Sequence, residues 1–234
     1  MRFIFSLLFC AIISPAIAQT SPLKISHLKG DLYVYTTYND YKGSLTDANA
    51  MYLVTNKGVV VIDAPWDPKQ FQPFLDSIEA KHQQKVVLAI ATHSHADRAG
   101  GLAFFKSKGI KTYTTKLTDQ ILKANNEPRA ENTFDKDTTF TVGQYKINTY
   151  YPGAGHTKDN ILIWFGKDQV LFGGCFVKST EASNLGNISE SNLKAWPGNI
   201  QKTKKKYPNT KFVVTGHQAW GNRESLDHTL KLLQ

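Results

Sequence analysis

The sequence holds only two cysteines in 234 residues, too few for a disulfide-stapled mini-fold. It has no low-complexity tract and no long linker. Its one long apolar run, Phe3–Ile13, is too short to span a bilayer as a helix. Charged residues are 20% and hydrophobic residues 41%, which excludes a disordered chain and leaves enough apolar material for a sizeable core. Acidic residues are outnumbered, 19 against 28 Lys plus Arg, for a formal net charge of +9.

The apolar run follows Arg2 and leads into Ser14-Pro15-Ala16-Ile17-Ala18. A positive end, an apolar stretch and a small-x-small site make a secretory signal peptide. We therefore expect residues 1–18 to be a signal, residues 19–234 to form one domain, and the product to reach the periplasm as a soluble protein. Cleavage would remove Cys10 and leave Cys175 without a disulfide partner. In an oxidising compartment such a thiol is either buried and inert or held as a metal thiolate.

Segments rich in Val, Tyr and Thr read as strands at Asp31–Tyr38, Asn49–Thr55 and Val59–Ile62, with Asn39–Asp47 as a long polar hairpin loop. Pro68–His82 has helical spacing, with Asp67 as its cap. Val86–Ala91 is a continuous apolar run, the pattern of a strand buried on both faces. Helices are expected at Gly100–Lys108, Thr118–Ala124, Ser191–Lys206 and Arg223–Leu233. Strands are expected at Ile110–Thr114, Thr138–Val142, Tyr145–Tyr151, Ile161–Phe165, Val170–Phe172 and Phe212–Thr215. Each half of the chain thus runs through strands, helix, strand and helix, a layered α/β protein with sheets between outer helices.

The chemistry lies at the exits of the apolar runs. His93, His95 and Asp97 follow Val86–Ala91 at intervals of two, which on extended backbone turns them to one side. His156 follows Gly153-Ala154-Gly155, Cys175 follows Gly173-Gly174, and His217 follows Gly216. Glycine there lets backbone approach a crowded centre. Imidazole, carboxylate and thiolate all suit zinc. Six such ligands exceed what one tetrahedral ion needs, whereas two ions with three protein ligands each keep open positions, the mark of catalysis. His27, His82 and His228 lack this setting and read as surface or helix histidines.

His-x-His-x-Asp, Gly-His, Gly-Gly-Cys and Gly-His together resemble the metallo-β-lactamase superfamily. Cys175 in the fifth slot and Arg98 after Asp97 resemble class B, subclass B1, especially its BlaB-type branch, over about residues 25–234. The resemblance implies an αββα sandwich with two zinc ions along one edge. His93, His95 and His156 would hold the first, and Asp97, Cys175 and His217 the second. It implies that Lys178 binds the substrate carboxylate, that Asn187 lies by the lactam carbonyl with Asn184 close by, and that Tyr38–Asp47 is the mobile flap. This flap lacks the tip Trp of some relatives, and Tyr41 takes its place. Asp63 either pairs with Arg98 behind the ligands or begins the turn into Pro65.

The implied activity is hydrolysis of penicillins, cephalosporins and carbapenems, with resistance to them as the outcome. The nucleophile would be hydroxide on zinc, whose bound water ionises near pH 7. Thioester hydrolases and nucleases of the same superfamily usually carry His after the Asp and Asp in the Cys slot, which Arg98 and Cys175 disfavour. The lysines at 202, 204, 205 and 206 invite a nucleic-acid reading, but they fall late in an expected helix, where they complement its dipole and stay solvated. We expect a monomer acting on a small molecule, with no nucleic-acid partner and no membrane association after cleavage.

Overall fold

The computed structural model describes residues 23–234. The expected signal peptide, residues 1–18, lies outside them. Two sheets form the centre. The first contains β1 Lys24–Lys29, β2 Leu32–Tyr41, β3 Ser44–Thr55, β4 Gly58–Ile62, β5 Val86–Ile90, β6 Lys111–Thr115 and β7 Asn132–Phe134, side by side in that order. The second runs β12 Phe212–Thr215, β11 Val170–Gly174, β10 Leu162–Phe165, β9 Tyr145–Tyr150 and β8 Thr139–Val142. Hairpin-linked strands pair antiparallel, while β4 to β7 and the β11–β12 pair are parallel.

Side chains alternate across each strand, and that alternation builds the layers. Val60, Ile62, Leu88 and Ile90 face the second sheet, meeting Ile147, Ile163, Phe172 and Val214 in a buried central core. Their neighbours Val59, Val61 and Ala89 face outward onto Phe71, Phe74 and Ile78 of α1 (Phe71–His82) and Phe105 of α3 (Leu102–Ser107). On the far side Leu162, Leu171 and Val213 face Trp196 and Ile200 of α5 (Trp196–Lys206) and Leu226 of α6 (Ser225–Leu232). The result is the expected helix, sheet, sheet, helix stack. Both faces of the central strands are apolar because both are covered.

Several local expectations change, among them the helix expected from Ser191, which begins at Trp196. Residues 39–47 are not a loop: β2 and β3 stay paired through Asn39↔Thr46, Asp40↔Leu45 and Tyr41↔Ser44. They close through Lys42 and Gly43 at φ 55° and 80°, the positive angles that a two-residue hairpin turn requires. The ribbon projects beyond the sandwich, so its side chains need not be apolar and the strand signal is weak. The short strands β1 and β7 were not expected. They are edges, half exposed and mostly polar. Asp97 does not continue an extended run after His93 and His95. β5 stops at Ile90, and Asp97 sits in the single helical turn α2 (Ala96–Ala99), where the N–H groups of Arg98 and Ala99 donate to the His95 carbonyl. Among the helices, Pro68–Gln70 forms a 3-10 turn before α1, and Asp67 caps it by accepting from the Lys69 N–H at 2.9 Å.

Candidate metal centre

The six expected ligands converge at one end of the sandwich, where His95, Asp97, His156, Cys175 and His217 line a cavity of about 550 Å³ and His93 is buried beside them. Ligands about 2.0–2.3 Å from a tetrahedral ion stand roughly 3.3–3.8 Å from one another. His95 Nδ1 and His156 Nε2 are 3.3 Å apart. The rings of His93, His95 and His156 meet edge to face, with centroids 4.9–5.2 Å apart. His93 Nε2 is buried with no hydrogen-bond partner among the described residues, which a structure tolerates where an electron-pair acceptor satisfies it. In the second group Cys175 Sγ lies 3.4 Å from His217 Nε2 and 3.6 Å from Asp97 Oδ2, and the last two are 3.5 Å apart. All three edges are those of a metal tetrahedron. His93 also stands within 4.8 Å of Asp97 and Cys175, so the two groups adjoin, but the shorter edges join His217 to that pair.

The electrostatics of the groups differ. Burial, with His95 beside it, holds His93 well below the usual histidine range. Burial, with His93 and Lys178 nearby, does the same for His156. Both rings are neutral at pH 7 and carry a free lone pair. Burial also opposes charge on His217, but the negative charge of Cys175 and Asp97 outweighs it and pushes this ring up to about 10. Its proton supplies the positive charge that the surrounding donors call for. Asp97 is held well below the carboxylate range: burial opposes ionisation, and Arg98 and His217 override it. The donor set therefore fits a divalent cation in each group.

Arg98 is fully buried beneath the second group. Its guanidinium donates to the carbonyls of Asn49 at 2.6 Å and Gly216 at 2.8 Å, and to Cys175 Sγ at 3.1 Å, and lies 2.9 Å from Asp97 Oδ2. Asp63 proves to do both things considered for it. It turns the chain at φ 65°, and its carboxylate accepts from Thr92 N and Oγ1 while lying 3.6 Å from Arg98. Gly216 has a steric cause: a Cβ there would stand 2.8 Å from Cys175 Sγ.

Lys178 and Asn187 both line the cavity, as do Asn184 and the flap residues Tyr41 and Asp47. The Lys178 ammonium lies 5.5 Å over the Trp196 ring, and burial lowers its affinity for protons. Asn187 is exposed, and its Oδ1 accepts from Ser189 N and Oγ, which leaves its amide nitrogen to donate. His27, His82 and His228 bond to Gly30 O, Tyr52 OH and Ala182 O respectively, outside the centre. The lysines of α5 stay on its solvent side or half exposed, with Lys204 paired to Asp227.

Several contributors escaped the sequence reading. Trp66, at the exit of β4, stacks edge-on to His217 at 6.0 Å and meets Tyr41 at 5.8 Å. It leaves an apolar strand as the ligands do, and that position was its one signal. Asp159 holds the histidine loop by accepting from Ser94 N at 2.9 Å, and Glu190 lies 3.5 Å from His95 Nε2. Ser191 donates to the His156 carbonyl at 2.8 Å.

A family model described as the metallo-beta-lactamase superfamily matches residues 44–228. A "Metallo-beta-lactamase type 2" from Elizabethkingia meningoseptica is 50% identical over 92% of this chain and 86% of its own length. Metallo-beta-lactamase IND-1 from Chryseobacterium indologenes is 42% identical over 88% of this chain and 86% of its own. The crystal structure of metallo-beta-lactamase IND-7 superimposes with a TM-score of 0.89 at 41% identity, covering 92% of this chain and 99% of that one. With this ligand set, fold and kinship, the chain belongs to the metallo-beta-lactamase superfamily, among its class B members of subclass B1.

Proposed function

We propose that this protein is a zinc-dependent β-lactamase that opens the amide bond of penicillins, cephalosporins and carbapenems and so confers resistance to them. One observation carries the reading: two adjoining donor triangles, one of three imidazoles and one of carboxylate, thiol and imidazole, meet at a cavity of about 550 Å³, within the size range of small-molecule sites. His93, His95 and His156 would hold one zinc, and Asp97, Cys175 and His217 the other. Bound there, the ions supply a solvent nucleophile ionised near neutral pH and positive charge for the oxygen and nitrogen of the breaking amide.

The protein's own groups orient the substrate around that chemistry. The Lys178 ammonium, unpaired with any carboxylate among the described residues and bedded on Trp196, binds the substrate carboxylate as a point charge. The Asn187 amide N–H donates to the lactam carbonyl as negative charge develops on its oxygen. Asp97 uses Oδ2 toward Arg98, Cys175 and His217, and Oδ1 remains to accept a hydrogen bond from the attacking solvent and so orient it. Tyr41 of the flap and Trp66 line the cavity with their rings 5.8 Å apart, and Leu185 lines it too, so these side chains are suited to cover an apolar substituent. The export reading fits this role. The mature protein would work in the periplasm as a monomer with a small-molecule substrate, one domain and no membrane or nucleic-acid partner.

The test is metal analysis paired with turnover of a penicillin, a carbapenem and a glutathione thioester. We expect two zinc ions per chain, loss of both lactam activities on chelation, recovery on adding zinc, and no thioester hydrolysis. Full activity in metal-free protein overturns the reading, and dominant thioester hydrolysis reassigns the substrate.

A further inference from the structure

The flap is joined to the second ligand group at its base. Asp47 pairs with Tyr38 where the β2–β3 ribbon leaves the sandwich. Its main-chain carbonyl accepts the His217 Nδ1–H at 2.5 Å, and its carboxylate Oδ2 accepts the Gln218 N–H at 2.5 Å. Two residues along, the Asn49 N–H donates to the Gly216 carbonyl at 2.8 Å, and its amide donates to Thr215 O and Gln218 O at 3.2 and 2.7 Å. Residues 47–49 are thus zipped to residues 215–218. A second path runs from the flap tip through rings, Tyr41 to Trp66 to His217.

We infer that Asp47 is a positioning residue that links order in the flap to metal affinity in the second site. The inference rests on the two-zinc reading above. A histidine that gives its Nδ1–H to a carbonyl is fixed in the tautomer and orientation that present Nε2, and here Nε2 faces Cys175 and Asp97. The carbonyl holds its place because the same residue's carboxylate grips the next peptide. Aspartate is suited to this because its carboxylate makes a charge-assisted bond with an N–H. Linkage is reciprocal: if flap order favours the second zinc, the second zinc orders the flap, and a substrate that closes the flap tightens the metal that will act on it.

The experiment titrates zinc against a chromophoric chelator in the wild type, Asp47→Ala and Asp47→Asn, with amide hydrogen exchange of residues 39–46 followed at each step. We expect the first equivalent to bind all three proteins alike. The second should bind Asp47→Ala about 10-fold more weakly, as loss of a partner behind a metal-bound histidine does, and Asp47→Asn by a smaller factor. In the wild type the second equivalent should slow exchange in the flap, and in Asp47→Ala it should not. Equal second-site affinity in all three proteins overturns the inference, as does a lowered melting temperature with both zinc equivalents unaffected. If Asp47→Ala does not fold, Asp47→Asn decides by the same readings. A wild type that takes up fewer than two zinc ions defeats the two-zinc reading itself, which this design separates from failure of the coupling.

Discussion

Replacing Arg98 with alanine tests the arrangement under the second ligand group most severely. The side chain is 0% exposed. Its removal leaves the Asn49 and Gly216 carbonyls without their guanidinium donors, and leaves Asp97 and Cys175 without the cation 2.9–3.1 Å away. Breaking a buried ion pair by deleting one partner costs about 3–5 kcal/mol, a large share of the roughly 5–15 kcal/mol that holds a domain folded. For a chain of this size each kcal/mol is worth about 2–4 °C, so melting should fall by roughly 6–20 °C. Arg98→Lys keeps the charge but replaces a planar fork with one ammonium. It cannot meet four acceptors in two directions and should lose about half as much.

Urea unfolding followed by tryptophan fluorescence, with and without zinc, measures both variants. The metal-free comparison isolates the structural cost. The zinc-saturated comparison adds a second effect, because Asp97 and Cys175 lose the group that aims them. The stabilisation gained from the second zinc equivalent should shrink in Arg98→Ala, while that from the first is kept. A loss below about 1 kcal/mol, the worth of an ordinary hydrogen bond, would refute the view that Arg98 carries this charge cluster.

Cys175→Ser should keep the fold, retain the first zinc equivalent, weaken the second and lower lactam turnover by about 10–100-fold, as read by metal analysis and initial rates. Lys178→Ala should raise KM about 10-fold or more and change kcat little, since a charge-assisted bond to an unreacting carboxylate is uniform binding. Added salt should weaken wild-type binding toward the variant's. Asp63 is raised by burial to about 6, against the pull of Arg98 and the Thr92 bonds, above its value of about 3.9 in an unfolded chain. The folded state therefore holds the extra proton in that window. The stability this group contributes is full below about pH 4 and is lost as pH rises through about 6. Asp63→Asn should remove that decline, seen as the difference between the two proteins' unfolding free energies across pH 4–7.

The ligand set was legible because each member leaves a buried strand, and apolar runs such as Val86–Ala91 and Phe212–Thr215 identify such strands without knowledge of their neighbours. The layer order followed from the same runs. The edges β1 and β7 were not legible, since an edge strand that is half exposed need not be apolar. The flap ribbon hid for the same reason: beyond the sandwich no layer requires alternation. Asp97 was found by an argument from period two that the helical turn at Ala96–Ala99 does not obey. Its type and place in the motif were informative, but the backbone that aims it was not. Asp47 and Asp159 act on main-chain N–H groups far away in sequence, and nothing local marks a carboxylate for such a partner.

The two ligand groups solve one problem in opposite ways. The buried imidazoles of His93 and His156 present no charge, so they need no counter-ion and keep their lone pairs at neutral pH because burial disfavours their protonation. The Asp97 carboxylate brings charge into the interior, where an uncompensated ion is costly, and Cys175 adds a second charge when it binds a metal. Arg98 offsets one of those charges from below, through the same atoms that orient the pair. His217, pushed up to about 10, meets the pair from the other side as a protonated cation. A divalent cation that displaces this proton takes over its electrostatic role and adds coordination, so uptake at the second site releases a proton and strengthens as pH rises. The buried rings of His93 and His156 have none to release. Proton release measured during a zinc titration in weak buffer should therefore be larger for the equivalent that fills the second group. Equal release with both equivalents would show that the charge division drawn here is wrong.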